Sequence, residues 1–452
     1  MRKTIAVTTV LLSLCMLLSA CSFQPFKPVE ELMHPPYDSD RNQDLLQAFH
    51  ASVDGTPVFI APAGGDYTSA IVMKDFDLDG EDEALVFYKI KSVSDTVRMN
   101  VLELSNSEWQ SVADVKGSGT AVESVQFARM DENGSFIVCW RVGTTAGRIL
   151  SVFCKEKGGA SFKELATEPY AVMTVADIDG DGFEDVFYIS QESDSNGTRN
   201  TATLMKLGKY HSGSPQTVVL DSVRLDSNVV RYSPIHFSDP ANPAASSLMT
   251  DAVKGENSMI TEVIRWNGET GELEVPFLDK NTLTNTATLR SSLIPSMDID
   301  GDGVVEIPIQ HPMAEDSLSL PQQTNETPAE PITVTEWMEE KNGSLNRKVT
   351  TAVNEKLSYI YTFREEDVGR VFIREETEDC WLFYQTEQDG TETDLFSVIP
   401  VAKTVFDEQS NERYTVVADC GENYICAYIP ETGSVSHINT GELEEQFSIF
   451  SY

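Results

Sequence analysis

The sequence predicts a mainly β protein: a β-propeller of about five blades over residues 55–348, followed by a small α+β domain over 349–452. Three observations predict it. Short apolar, β-branched and aromatic runs alternate with clusters of Gly, Asn, Asp and Ser, helical periodicity is nearly absent among them, and one acidic stretch recurs three times at wide intervals.

The chain opens with Arg2 and Lys3 ahead of an apolar run from Ile5 to Leu18 that is too short for a bilayer span and ends in the small residues Ser19 and Ala20. That is the layout of a secretory signal over residues 1–20, not of a transmembrane anchor. Leu18-Ser19-Ala20-Cys21 resembles the lipobox of bacterial lipoproteins. The resemblance implies that Cys21 becomes a lipidated N-terminus, holding the protein at the extracytoplasmic face of the bacterial cell membrane by its acyl chains. Residues 21–54, with Pro25, Pro28, Pro35 and Pro36, read as a tether lifting the folded part off that membrane.

Lys and Arg number 33 against 72 Asp and Glu, a formal charge of −39. Loss of residues 1–20 removes Arg2 and Lys3 and no acid, so the mature chain is more negative still. Nucleic acid is excluded as a general partner, and so is a bare anionic lipid surface, because both would be repelled. Cations would be drawn in. After Cys21 come Cys139, Cys154, Cys380, Cys420 and Cys426, too few for a disulfide framework in so long a chain. A hairpin turning near Thr144–Gly147 would bring Cys139 opposite Cys154, which leaves open a bridge or two buried thiols.

Strand-length runs follow one another from ALVFYKI through RMNVLEL, FIVCWRV, RILSVFC, DVFYIS, TATLMKL and MITEVIRW to PITVTEW. Three places carry nearly the same acidic stretch: DFDLDGEDE, DIDGDGFED and DIDGDGVVE, which begin at Asp75, Asp177 and Asp298. The gap after each of the first two leaves room for a further blade. FARMDENGSFIVCW at 127–140 is a degenerate copy, with Arg129 and Ile137 where acids would stand, and a weaker candidate lies in the 232–266 region. The stretch 308–330, rich in Pro, Gln and Ser, reads as a surface loop. Beyond 349, YIYTF, GRVFIRE, WLFYQTEQDGTETDLFSVIPV, YTVVAD and YICAYIP make up the C-terminal β-rich unit, with room for a short helix.

Each complete copy carries acids at positions 1, 3, 5 and 9 and glycine at 6. They are Asp75, Asp77, Asp79, Glu83 and Gly80; Asp177, Asp179, Asp181, Asp185 and Gly182; and Asp298, Asp300, Asp302, Glu306 and Gly303. Clustered carboxylates repel one another, so the pattern makes sense around a hard cation that takes many oxygens. Calcium suits such a loop better than magnesium, which keeps its water, and the absence of His and Cys from the loops disfavours zinc. An EF-hand would need a Glu at position 12 between helices; here Val86, Tyr188 and Ile309 occupy it and the flanks are strand-like.

The loops resemble the calcium-binding turns of FG-GAP or VCBS repeats, the units of integrin-α-like β-propellers. The resemblance implies that all twelve acids are calcium ligands, that carbonyls of Glu81, Phe183 and Val304 assist, that the ion is structural, and that the propeller serves binding.

No GxSxG, HExxH, P-loop or CxxC motif occurs, and the six histidines are scattered. Trp109, Trp140, Trp266, Trp337 and Trp381 read as core residues rather than sugar platforms. The function expected is therefore a lipid-anchored binding module for a protein or glycan. The alternative is a surface enzyme acting on polysaccharide, with calcium supporting its fold. A two-lobed solute-binding protein would need α/β lobes, against which the strand pattern argues.

Overall fold

The computed structural model describes residues 40–91, 95–130, 134–143, 147–155, 162–194, 197–209, 215–313, 332–386, 390–406, 414–430 and 440–450. Residues 1–20, read above as a secretory signal, Cys21, Asp131 and Asn133 of the degenerate copy, and 314–330 of the Pro-rich stretch lie outside the described residues. Those described form two compact units, one ending at Glu168 and one beginning at Pro169. Six antiparallel sheets and a two-stranded hairpin make the protein mainly β. No helix among the described residues is long and apolar enough to cross a membrane.

The first unit begins with a helix, α1 (Asp40–Ser52), where a tether was expected. Leu45, Ala48 and Phe49 fall at helical spacing on one face and pack onto the first sheet, Leu45 and Phe49 being buried. Those apolar residues decide the matter, because their burial offsets the ordering of the segment. The first sheet contains β1 (Pro57–Phe59), β2 (Ile71–Lys74), β3 (Glu83–Ile90), β4 (Arg98–Ser105) and β5 (Glu108–Lys116), with β1 and β2 both paired to β3. β3 is covered on both faces: Ala84, Val86 and Tyr88 meet the helix cluster, while Leu85 and Phe87 join a core shared with the second sheet. That is why ALVFYKI is a continuous apolar run rather than an alternating one.

The second sheet is a plain meander of β6 (Ala121–Ala128), β7 (Gly134–Val142), β8 (Gly147–Lys155) and β9 (Phe162–Pro169). The hairpin of β7 and β8 forms as expected, but its register sets Cys139 opposite Leu150 and Cys154 opposite Ser135. Both cysteines are buried and neither is in a disulfide.

The second unit starts with a four-stranded meander of β10 (Val172–Ala176), β11 (Asp185–Asp194), β12 (Gly197–Lys209) and β13 (Pro215–Arg224). The fourth sheet holds β14 (Arg231–Tyr232), β15 (His236–Phe237), β16 (Leu248–Val253), β17 (Met259–Asn267) and β18 (Glu272–Glu274), and shares one core with the third. A small hairpin of β19 (Leu278–Asp279) and β20 (Thr284–Asn285) follows. The fifth sheet is laid down by β21 (Glu306–Pro312), β22 (Thr333–Lys341), β23 (Ser344–Asn354) and β24 (Tyr359–Thr362). The sixth holds β25 (Val371–Thr377), β26 (Cys380–Thr386), β27 (Glu392–Ala402), β28 (Tyr414–Cys420) and β29 (Asn423–Tyr428). After a short helix, α2 (Thr440–Glu445), the chain returns in β30 (Phe447–Ile449) to pair with β24. The boundary read at 348/349 thus falls inside β23, and the fifth sheet takes strands from both sides of it. Pairing is decided by which strand edge is open, and β24 offered one to the end of the chain.

Candidate metal centres

All three acidic loops hang from the same strand register. Lys74 pairs with Glu83, Ala176 with Asp185 and Met297 with Glu306, so eight residues bridge the strands each time. Within them the same four bonds recur. Oδ2 of Asp75, Asp177 and Asp298 accepts from the N–H of Gly80, Gly182 and Gly303 at 3.1, 3.1 and 2.9 Å. Oδ1 of Asp77, Asp179 and Asp300 accepts from the N–H of Asp79, Asp181 and Asp302 at 3.2, 3.1 and 3.2 Å. Oδ1 of Asp79, Asp181 and Asp302 accepts from the N–H of Glu81, Phe183 and Val304 at 2.9, 3.0 and 2.9 Å. At the base, the carboxylates of Glu83, Asp185 and Glu306 accept from the N–H of Phe76, Ile178 and Ile299 at 3.0, 2.9 and 3.1 Å. Phe76 and Ile178 are buried, and Ile299 packs against a core cluster, so this second position plugs each loop into the apolar interior.

The sixth-position glycines have φ of +99°, +88° and +89°. A Cβ there would meet nothing within 4 Å, so backbone conformation, not space, demands glycine. The fourth position is left-handed as well, at Gly180, Gly301 and, in the first loop, Leu78 with φ of +61°.

The carboxylates converge. Asp75, Asp77, Asp79 and Glu83 each bring an oxygen into one set within 4.8 Å, and so do Asp177, Asp179 and Asp185, and Asp298, Asp300 and Asp302. Asp181 and Glu306 stand outside these sets. Within the loops four carboxylate oxygens, Asp75 Oδ1, Asp177 Oδ1, Asp185 Oδ1 and Glu306 Oε1, are buried with no hydrogen-bond partner. Burial, reinforced by the neighbouring carboxylates, pushes Glu83, Asp185 and Glu306 up to about 7. Buried acceptors without donors, all of them oxygen, are what a hard divalent cation would satisfy.

Each loop also meets an ammonium group. Lys155 lies 2.5 Å from Asp77 Oδ2 and touches Glu103 as well. Lys206 bridges Asp179 and Asp181, and Lys348 lies 2.9 Å from Asp302 Oδ2. Burial works against the charge on Lys155 and Lys206, but the hydrogen bonds to the acids outweigh it and their pKa values stand above the ordinary value. These lysines lie far from the acids in sequence, and no local spacing pointed to them.

The second and fourth sheets, which lack a complete acidic motif, differ from each other. In the second, Ala128 pairs with Ser135, so the connection is two residues shorter than in the acidic loops; Met130 is buried in the plug position. In the fourth, Phe237 pairs with Leu248 and the N–H of Ser238 donates to the carbonyl of Ser247, which restores the eight-residue span. Asp239 keeps the first position there, but Ala241, Pro243, Ala244 and Ser247 fill the third, fifth, sixth and ninth. A 3-10 turn, Pro243–Ala245, and Ser246 Oγ, which donates to the carbonyls of Asp239 and Asn242, hold that loop together.

Of the five tryptophans, Trp109, Trp140, Trp337 and Trp381 are buried and Trp266 packs against a core cluster. Neither the protein-family models nor the curated proteins give a match to this chain.

Proposed function

We propose that this chain is a lipid-anchored, calcium-stabilised binding module on the extracytoplasmic face of a bacterial membrane. Its sheets are read as about five blades of an FG-GAP or VCBS-type β-propeller, and Cys21 as the anchor. One observation carries the calcium reading: the same four-bond carboxylate loop is built three times, leaving buried acid oxygens with no donor. Acids of these loops would hold the ion, Asp181 and Glu306 moving in to join it. The ion would supply the positive charge that lets the carboxylates stay together, and takes no part in a reaction. A rigid body with structural ions suits presentation of a surface to a protein or glycan.

A cleft of about 550 Å³ in the first unit, lined by Asp54, Tyr88, Arg98, Asp114 and Lys116 among others, is what a polysaccharide-acting enzyme would draw on. Asp114 there is bound to both Arg98 and Tyr88, which leaves Asp54 as its other acid. The binding reading is therefore preferred.

The test uses the mature chain with Cys21→Ser. Chelation should lower its melting temperature, and calcium should restore it more effectively than magnesium at equal concentration. A melt indifferent to chelator would end the calcium reading. Capture of a defined glycan or protein without its cleavage supports binding, and release of shortened glycan would support the enzyme.

A further inference from the structure

We propose that Lys155 is the resident cation of the first acidic loop and keeps calcium out of it, so that calcium fills the second and third loops only. The inference rests on the calcium reading above and concerns which loops the ion enters.

The three lysines are not equivalent. The Lys155 side chain is 6% exposed and that of its partner Asp77 1%, so this ion pair is sealed from water. The Lys206 and Lys348 side chains are 26% and 31% exposed and can turn out into solvent when an ion arrives. Lys155 has no such exit. Leaving would strand its ammonium in the interior and also release Glu103, its second acid. Asp77 Oδ1 accepts from the N–H of Asp79 and Oδ2 from Lys155, so an ion reaching this acid would have to displace a buried ammonium; Asp179 is bonded alike, but to the more exposed Lys206.

The buried oxygens divide the loops at the base acid; at the first position the first and second loops are alike, with Asp75 Oδ1 and Asp177 Oδ1 both unpartnered. The base acids of the second and third loops, Asp185 and Glu306, are 1% and 0% exposed and each keeps one oxygen without a partner. In the first loop Glu83 has no buried unpartnered oxygen; the one there, Asp75 Oδ1, remains available once the ammonium is gone. Lys155 comes from β8 of the second sheet, where it pairs with Gly134. The sheet whose own connection is too short for the acidic motif thus supplies the cation for its neighbour's loop.

Equilibrium dialysis with calcium tests this on the mature chain carrying Cys21→Ser. The parent should bind two equivalents and Lys155→Met three. A parent that binds three, or a variant that stays at two, overturns the inference while leaving the calcium reading standing. No binding by either overturns both. Should Lys155→Met fail to fold, Asp75→Asn and Asp177→Asn decide: the first should leave two equivalents and the second one, and loss of an equivalent from Asp75→Asn overturns the inference.

Discussion

The loop from Asp298 to Glu306 and the loop from Asp239 to Ser247 join their strands over the same number of residues in one compact unit, yet one is built from carboxylates and the other from serines and a proline turn. A neutral loop with its own hydroxyl and backbone bonds closes this connection well. The geometry of the connection therefore does not call for acids, and their presence in three loops needs a separate cause. The proposed cation would supply that cause and would also satisfy the buried oxygens left without donors.

The largest expected effect sets the same position of the two loops side by side. Asp298 accepts from the N–H of Gly301, Asp302 and Gly303. With calcium at a hundredfold its dissociation constant, Asp298→Ala should cost about 3 kcal/mol. Asp239→Ala loses one backbone bond to Ala241 and should cost about 1 kcal/mol, with or without chelator. Urea midpoints measured with and without calcium check both, and equal losses would dissolve the contrast.

Next in size is the response to pH. Glu83, Asp185 and Glu306 sit at about 7 in the folded chain, above their ordinary carboxyl values. Between those values the folded state holds protons that the unfolded chain has released, so their contribution is complete at low pH and is lost as pH rises through about 7. The chelated protein should melt higher at mildly acidic than at alkaline pH, and calcium, which needs the ionised forms, should weaken or reverse that trend. Ser247 in the neutral loop does not titrate. A flat profile in chelator would count against the buried-acid account.

Smaller effects concern the backbone. Gly303→Ala forces a side chain into a left-handed conformation and should cost about 1–2 kcal/mol. Ala244→Gly, at the matching position of the neutral loop, should change stability by about 1 kcal/mol or less. Chemical denaturation of the pair separates them. Smallest of all, Leu78→Gly should stabilise the first loop by up to about 1 kcal/mol, because Leu78 holds a positive φ with its side chain partly in solvent. A destabilised variant would mean that the Leu78 side chain contributes packing that its exposure hides.

Much of the local structure was legible because it is written in adjacent residues. ALVFYKI, RMNVLEL, FIVCWRV and RILSVFC all became strands, and the acid–glycine spacing located three loops that share the same four bonds. What escaped depends on pairing between distant segments. The loop at 239–247 has no acidic pattern, and only its strand register shows that it is the same connection. The hairpin was foreseen but not its register, so Cys139 and Cys154 do not face each other. Lys155 reaches an acid 78 residues away, and no window along the chain could have connected them. The helix at 40–52 was masked by the nearby prolines, although Leu45 and Phe49 carried its spacing.

The return of β30 to β24 also sets an order of events during synthesis. The other strands of the fifth sheet emerge well before this partner, so an emerging chain carries an unsealed edge on β24 until β30 is made. A chain stopped before β30 would present that open edge to any passing strand, which makes Phe447–Ile449 a poor segment to cut away or interrupt.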